Sequence, residues 1–259
     1  MKQVALELGP LTIHWYGVFF ALGILAGLWT ASRRGLRDNL KPDSILDIGP
    51  WLIVGAVLGA RVLYVITYWE ESFAGKPFTE VFMIQKGGLV YYGGLMGAIV
   101  SCLTYLRIKQ LPLWKFADAL APSIALGHAF GRIGCLMNGC CFGTTCSQPW
   151  AIHFPEWHVT QGAGVHPTQI YEALLNMGLY LGLAKRYQRR SFEGQIFALY
   201  LIGYGVLRAL VETFRGDYET RSFGILSQGQ LISVPILAVG ITLFFRLRSS
   251  ASKTNSTET

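Results

Sequence analysis

Three arginines lie inside stretches that are otherwise apolar enough to cross a membrane. They are Arg61 in GAVLGARVLYVITY, Arg132 in ALGHAFGRIGCLMNG and Arg208 in LYLIGYGVLRALVETF. A charged side chain at the bilayer centre costs about 2.5–3.5 kcal/mol on insertion scales, so such residues are expected to be functional. The guanidinium is planar, always charged and well matched to phosphate oxygens. These arginines therefore predict a membrane enzyme or carrier that handles an anionic lipid headgroup.

Acidic residues in the same stretches are the expected partners of these arginines. Arg208 and Glu212 are spaced i, i+4 and can pair on one helical face. Arg132 can bind a ligand, or it can pair with Glu172 or Glu212 for packing alone. Arg61 has no local acidic partner, and its alternative to a functional role is to extend toward the membrane surface.

Several polar side chains at the predicted membrane surface are further candidates. His166, in HPTQIYE, is either a base or headgroup donor or a surface histidine. Tyr16, in HWYG, either points inward or belongs to the aromatic belt. Tyr92, in KGGLVYYGGLMG, either donates to a phosphate or assists proton transfer, or lies at the interface. Glycines such as Gly143 would open space beside the backbone for a ligand.

Four of the five cysteines cluster near one another in the chain, at Cys135, Cys140, Cys141 and Cys146. On the outer side of a membrane the environment is oxidising, and a disulfide is the simplest interpretation. The alternative is a metal site completed by His153 or His158. The C-x4-C-C-x4-C spacing is not a usual zinc pattern, so no metal is expected. A cysteine nucleophile is the remaining alternative.

The composition places these residues on membrane-spanning helices. Hydrophobic residues make up 52% of the chain and charged residues only 14%, against about 25% charged in soluble domains. We expect an all-α integral membrane protein with about seven transmembrane helices. A small extracytoplasmic cap at 137–166 would separate spans four and five, and a disordered cytoplasmic tail at 249–259 would follow the membrane domain, 1–248. The predicted spans are 13–32, 45–68, 88–107, 116–136, 167–184, 195–214 and 228–246.

The distribution of lysine and arginine in the loops predicts the orientation. Fourteen lie in the first, third and fifth loops and the tail, and only five on the other side. The positive-inside rule then places the amino terminus outside and the carboxyl terminus in the cytoplasm, with the first span as an uncleaved anchor. The net charge of +7 is thus a topology signal and does not indicate nucleic acid.

Six motifs in order resemble those of the bacterial phosphatidylglycerol–prolipoprotein diacylglyceryl transferases. They are HWYG, LGARVLYV, GGLVYYGGLMG, GRIGCLMNGCCFG, HPTQIYE and LIGYGVLRALVETFR followed by SQGQ. Gly131, Arg132, Gly134, Asn138 and Gly143 match the family pattern. Cysteines at 135 and 140 replace the usual Asn and Glu, and Leu136 replaces Phe. Tyr92 stands where the family usually has a histidine, so the chain resembles a cysteine-bearing branch.

The resemblance implies a plasma-membrane enzyme without cofactors. It would transfer the diacylglyceryl group of phosphatidylglycerol to the lipobox cysteine of preprolipoproteins, which it recognises through their signal peptides, and release glycerol 1-phosphate. Arg132 and Arg208 would stabilise the phosphate, with Tyr92 or His166 as base, or proton loss to water. The expected substrate-binding residues are Arg132, Asn138, Tyr16, Gly143, Glu212, Arg61 and Glu172. The alternatives are a transporter or flippase for a phosphorylated lipid and a non-catalytic membrane scaffold.

Overall fold

A computed structural model describes residues 3–9, 11–217 and 227–257 of the chain. The described part divides into two compact units. The first comprises residues 1–34 and 117–259, and the second comprises residues 35–116. Residues 258 and 259 of the predicted tail lie outside the described ranges, as do Lys2 and Arg221 of the charge count.

Helices dominate both units, and strands are short. In chain order the strands and α-helices are β1 (Val4–Leu8), β2 (Leu11–His14), α1 (Trp15–Gly35), α2 (Pro42–Leu46), α3 (Ile48–Thr67), α4 (Tyr91–Ile108), α5 (Leu113–Asn138), β3 (Ile152–His153), β4 (Gly164–Val165), α6 (Thr168–Tyr187), α7 (Gln195–Glu212) and α8 (Gln228–Thr257).

Five segments of the described chain are long and apolar enough to cross a membrane. They are Trp15–Asp38, Pro42–Thr67, Leu113–Asn138, Gln195–Glu212 and Gly229–Lys253. Helices α4 and α6 also lie over predicted spans but are less apolar. In α6 the reason is a row of buried polar residues, including Gln169, Glu172 and Asn176.

Two short antiparallel sheets lie at the ends of helices in the first unit. Strands β1 and β2 pair just before α1, with Val4 opposite His14 and an irregularity between Val4 and Leu6. Strands β3 and β4 pair between α5 and α6, with Ile152 opposite Val165. The second sheet lies within residues 137–166.

Glycines allow close helix packing in both units. A Cβ on Gly59 of α3 would lie 2.8 Å from the Cα of Gly97 in α4, and one on Gly55 would lie 2.7 Å from the Gly97 carbonyl oxygen. In the first unit, a Cβ on Gly23 of α1 would lie 3.3 Å from the Gly127 carbonyl oxygen. At these helix contacts the small residues let the backbones approach each other closely.

Helix α7 is anchored at its start by a carboxylate from another helix. Asp118 of α5 is fully buried and accepts the backbone N–H groups of Gly194 and Phe197, both at 2.9 Å. These donors belong to the first turn, where a helix lacks internal acceptors. This contact fixes the position of α7 along the axis of α5. It therefore also fixes the position of Arg208 relative to Arg132.

Helix α8 continues through residues 249–257, which the sequence analysis assigned to a disordered tail. The helix therefore extends beyond the apolar segment that ends at Lys253.

Candidate active site

Helices α5, α6 and α7 bring four charged side chains into one connected network. Arg132 Nη2 lies 2.9 Å from Glu172 Oε1, and Arg208 Nη1 lies 3.8 Å from the same oxygen. Arg208 Nη2 lies 2.9 Å from Glu212 Oε2, as the i, i+4 spacing predicted. Glu172 therefore joins the two arginines that sequence analysis placed at the headgroup site.

The network continues past the end of α7 to Arg215. Its Nε lies 3.9 Å from Glu212 Oε2, and it donates to both carboxylate oxygens of Asp217 at 2.9 and 2.6 Å. Ser227 Oγ donates to Glu212 Oε1 at 2.9 Å. A Cβ on Gly229 would lie 2.5 Å from Glu212 Oε2, so a larger residue at the start of α8 would displace this carboxylate.

Burial makes these charges interact strongly. Glu172 is 3% exposed and Glu212 is 5% exposed, and charges interact more strongly in such an environment than in water. The Arg132 side chain is the most accessible of the network, at 20%. Arg208 Nη1 is buried without a hydrogen-bond partner among the described residues. The network thus contains the solvent-accessible guanidinium of Arg132. Beside it, the guanidinium of Arg208 has an N–H group without a hydrogen-bond partner among the described residues.

The end of α5 places two cysteines side by side. Gly139 has φ of 79°, and the backbone N–H of Cys140 donates to the Cys135 carbonyl at 3.1 Å while that of Gly139 donates to the Leu136 carbonyl at 3.3 Å. This is the Schellman arrangement, which brings the second residue beyond a helix back against its last turn. In this chain those positions are Cys140 and Cys135.

A third cysteine joins them through contacts with the start of α6. Cys141 has φ of 61°, its carbonyl accepts Thr168 Oγ1 at 2.6 Å, and the Cys140 carbonyl accepts Gln169 Nε2 at 2.8 Å. The sulfur atoms of Cys135, Cys140 and Cys141 all lie within 4.8 Å of one another. All five cysteines are free thiols, contrary to the predicted disulfide.

The cysteines and the arginines are electrostatic neighbours. Hydrogen bonds from the Cys135 and Cys140 thiols, followed by the charges of Arg132 and Arg215, hold the pKa of Cys141 below its usual range. A hydrogen bond with Cys135 lowers the pKa of Cys140, but a hydrogen bond with Cys141 and burial outweigh it and raise that pKa above its usual range. A single thiolate, on Cys141, is thus favoured in the cluster.

The segment after the cysteines is held between the ends of α6 and α7. The N–H of Gly143 donates to the His166 carbonyl at 3.0 Å, and that of Thr144 donates to the Phe214 carbonyl at 2.9 Å. A Cβ on Gly143 would lie 2.7 Å from the His166 carbonyl oxygen. Gly143 therefore serves close backbone packing, whereas the space around Gly131 is open, with no atom within 4 Å of a Cβ built there.

His166 belongs to a short hydrogen-bonded chain in this segment. Its Nδ1 lies 3.2 Å from the Tyr171 hydroxyl, which accepts the Trp150 indole N–H at 2.8 Å. The imidazole also lies against Phe214, with ring centres 5.4 Å apart. His166 is thus oriented by its neighbours, as a functional histidine would be.

Two further predicted residues lie beside α5. A Cβ on Gly134 would lie 3.2 Å from Tyr16 Cδ2, so Tyr16 of α1 packs on the last turns of α5. Asn138, the final residue of α5, has its side-chain nitrogen 3.8 Å from Cys140 Sγ, and its carbonyl accepts Gln3 Nε2 at 2.9 Å. Both residues border the cysteine cluster.

Arg61 and Tyr92 belong to the second unit. The Arg61 guanidinium is 8% exposed and donates to four backbone carbonyls, those of Glu80, Val81, Gly87 and Gly88, at 2.8–3.1 Å. These bonds tie the irregular segment before α4 to α3. Tyr92, in the first turn of α4, is half exposed, and its ring lies against that of Tyr91 at 5.6 Å.

Three residues of this region were not among the predicted site residues: Arg215, Ser227 and His128. The i, i+3 spacing of Arg215 from Glu212 could have indicated their contact. Ser227 was quoted only as part of the SQGQ motif. His128 lies one turn before Arg132 in α5, close enough for the charges of Arg132 and Arg208 to act on it, with its ring 5.0 Å from that of Tyr204.

Apolar helices that carry a buried arginine–carboxylate network define a multi-pass membrane protein with a polar site. The sequence profile of the prolipoprotein diacylglyceryl transferases matches residues 3–246. Similar proteins bear the name phosphatidylglycerol–prolipoprotein diacylglyceryl transferase. The one from Finegoldia magna is 35% identical over 256 residues, which cover 98% of this chain and 99% of that protein. The one from Geobacillus kaustophilus is 36% identical over 257 residues, covering 96% and 93%.

The chain therefore belongs to the prolipoprotein diacylglyceryl transferase family, which confirms the resemblance noted from its motifs. A relative from Synechococcus elongatus, 34% identical over 247 residues, matches 91% of this chain and 83% of its own length. The match to the family covers almost the entire chain and includes residues of both units.

Proposed function

We propose that this protein transfers the diacylglyceryl group of phosphatidylglycerol to the lipobox cysteine of preprolipoproteins. The observation that carries the proposal is the Arg132–Glu172–Arg208–Glu212 network on α5, α6 and α7. The reaction joins the cysteine sulfur to the glyceryl carbon and releases glycerol 1-phosphate. Its protein partners are preprolipoproteins, recognised by their signal peptides.

Arg132 and Arg208 would bind the phosphate of the lipid. A phosphodiester carries one negative charge, and its product, a phosphate monoester, carries a second as the carbon–oxygen bond breaks. A guanidinium held in place before the reaction stabilises that added charge without reorganisation. The accessible Arg132 and the unused Nη1 donor of Arg208 suit this role.

Glu172 and Glu212 would hold the two guanidinium groups in position. Each carboxylate contacts arginine through one oxygen, so the guanidiniums keep donors for a ligand. Their charges also offset part of the desolvation cost of burying arginine. We therefore assign both glutamates a positioning role, and we assign Arg61, whose donors are used by carbonyls, a structural role in place of substrate binding.

The proton of the incoming thiol needs an acceptor, because the thiolate is the nucleophile. Tyr92 and His166 are the two candidates, and water is the third. His166 is oriented by Tyr171, while Tyr92 occupies the position at which the family usually has a histidine. Asn138, Tyr16 and Gly143 would shape the surroundings of the reacting groups.

We further propose seven membrane spans in the bacterial plasma membrane. The long helices α1, α3, α4, α5, α6, α7 and α8 would be the spans, with residues 137–166 as an extracytoplasmic cap. The excess of lysine and arginine on one side supports an external amino terminus and a cytoplasmic carboxyl terminus.

A transfer assay tests the function. The purified protein in phosphatidylglycerol liposomes is given a lipobox peptide, and the peptide is analysed by mass spectrometry. We expect a diacylglyceryl mass gain in the wild type and its loss in Arg132→Ala. Movement of phosphatidylglycerol between leaflets without any modified peptide would favour the flippase instead.

A further inference from the structure

The three thiols at the end of α5 have the spacing of a metal ligand set. Zinc binds thiolates at about 2.3 Å in tetrahedral geometry, which places the sulfur atoms roughly 3.8 Å apart. The sulfur atoms of Cys135, Cys140 and Cys141 all lie within 4.8 Å of one another. A closure of about 1 Å at most between any two sulfurs would therefore suffice for zinc.

The backbone holds the three cysteines in place without help from a ligand. The Schellman turn at Gly139 holds Cys140 beside Cys135 through the 3.1 Å bond between their backbone groups. Thr168 and Gln169, at the start of α6, hold the carbonyls of Cys141 and Cys140. A set of ligands ordered by the fold pays less entropy on binding than a flexible set.

The surrounding charges suit a metal bound by three thiolates. Three thiolates and one divalent zinc carry a net charge of −1. Arg132 lies one turn before Cys135 on α5 and therefore on the same face of the helix as that thiol. Its positive charge would offset the excess negative charge of the occupied site.

Three protein ligands leave one of the four zinc positions open, which is the arrangement of catalytic zinc sites. We propose that Cys135, Cys140 and Cys141 bind one zinc ion and that the open position takes the thiol of the substrate cysteine. The role in catalysis rests on the proposed diacylglyceryl transfer. The expectation of no metal came from spacing along the chain, which does not reveal how the helix end folds back.

The bonds made and broken balance without an oxidant or reductant. The substrate thiol loses its proton to the acceptor or to water as sulfur binds zinc. The sulfur then attacks the glyceryl carbon that carries the phosphate ester oxygen. The carbon–sulfur bond forms, the carbon–oxygen bond breaks, and its electron pair leaves with glycerol 1-phosphate. The thioether product dissociates, and zinc stays divalent.

Metal analysis of the purified full-length protein tests the site itself. The wild type, reduced and loaded with zinc and then freed of excess, is expected to hold about one zinc per chain with sulfur at about 2.3 Å by X-ray absorption. Each of the variants Cys135→Ser, Cys140→Ser and Cys141→Ser should bind zinc about 10-fold or more weakly than the wild type. Cys102→Ser and Cys146→Ser serve as controls, because neither thiol belongs to the cluster, and both should retain the zinc.

A wild type that takes up no zinc in this experiment would overturn the proposal, as would cluster variants that bind zinc like the wild type. A disulfide within the cluster that forms in the membrane and leaves no zinc in the isolated protein would also overturn it.

The open position is tested with cobalt in place of zinc. A lipobox peptide with cysteine should strengthen the thiolate-to-cobalt charge-transfer absorption, whereas the same peptide with serine should not. Equal spectra for the two peptides, with binding of both measured separately, would overturn the assignment of the open position.

Transfer measured on the same samples separates the two proposals. Removal of zinc should reduce transfer by at least about 10-fold, and added zinc should restore it. Unchanged transfer in fully stripped protein would overturn the catalytic role of zinc. Absence of transfer in the zinc-loaded wild type would instead count against the proposed function, while the metal and peptide-binding results would still decide the site.

Discussion

The Arg132 guanidinium on α5 lies 2.9 Å from the Glu172 carboxylate on α6. Glu172 is almost fully buried, while Arg132 retains some exposure. The buried Glu172 carboxylate can therefore hold the Arg132 guanidinium in position. The partly exposed guanidinium can at the same time contact a ligand.

Replacement of Glu172 by glutamine should impair transfer more than folding. The amide keeps the shape but removes the charge that orients Arg132 and Arg208. We expect kcat to fall by about 10²-fold, with a small change in the melting temperature. Glu156→Gln is the matched control, because Glu156 is exposed; a transfer rate equal to that of this control would show that Glu172 does not position the arginines.

Arg208→Ala should abolish measurable transfer while the protein still inserts into the membrane. Alanine also leaves Glu212 buried without its closest arginine, which costs about 3–5 kcal/mol of stability. The double variant Arg208→Ala with Glu212→Ala should recover part of that stability and none of the activity. Thermal unfolding and the transfer assay together check this expectation, and near-normal product from either variant would contradict the phosphate-binding role.

Gly229→Ala is expected to lower the rate of transfer, although the added methyl group would contact neither substrate. The added Cβ would lie 2.5 Å from Glu212 Oε2 and would displace the carboxylate from Arg208. We expect a loss of about 10-fold or more, since small displacements in an active site reduce rates strongly. Gly182→Ala, at a position with no atom within 4 Å of the added Cβ, should keep wild-type transfer; equal rates for the two variants would refute the displacement.

Gly59→Ala should destabilise the packing of α3 on α4. The added Cβ would lie 2.8 Å from the Cα of Gly97, and backbone atoms cannot move aside as a flexible side chain can. A loss of about 1–3 kcal/mol is typical of overpacking. Gly178→Ala of α6, which meets nothing within 4 Å, is the control, and melting temperatures that do not separate the two variants would contradict the close contact.

Tyr92→Phe removes a single hydroxyl from a half-exposed side chain. If Tyr92 accepts the thiol proton, we expect transfer to fall by about 10²–10⁴-fold and Tyr92→His to retain it. The rate of each variant across pH checks the assignment, since only a change of proton acceptor should move the profile. A normal rate for Tyr92→Phe together with a loss in His166→Asn would transfer the role to His166.

Local patterns predicted the helices and the Arg208–Glu212 ion pair. A long helix overlaps each of the seven predicted spans, and five segments of the described chain are apolar enough to cross a membrane. Apolar composition over about 20 residues is a property of the segment alone, so it can be predicted from the sequence. The Arg208–Glu212 pair follows from the i, i+4 spacing on one helix.

Contacts between distant segments could not be predicted in the same way. Glu172 was one of two possible partners for Arg132, and only the packing of α5 against α6 selects it. Arg61 looked like a third ligand-binding arginine, yet its donors are taken up by carbonyls of the segment before α4. Every residue has a backbone carbonyl, so the residue types do not show which carbonyls accept hydrogen bonds from Arg61.

The sequence by itself determined the long apolar helices, the family and the Arg208–Glu212 pair, since these depend on composition, motif order and local spacing. The tertiary structure decided which carboxylate meets which arginine and which cysteines meet one another. The turn at Gly139 places Cys140 against Cys135, but Cys141 joins them only because Thr168 and Gln169 hold that backbone from the start of α6. Such contacts depend on the relative heights of packed helices, which buried anchors such as Asp118 set from elsewhere in the chain.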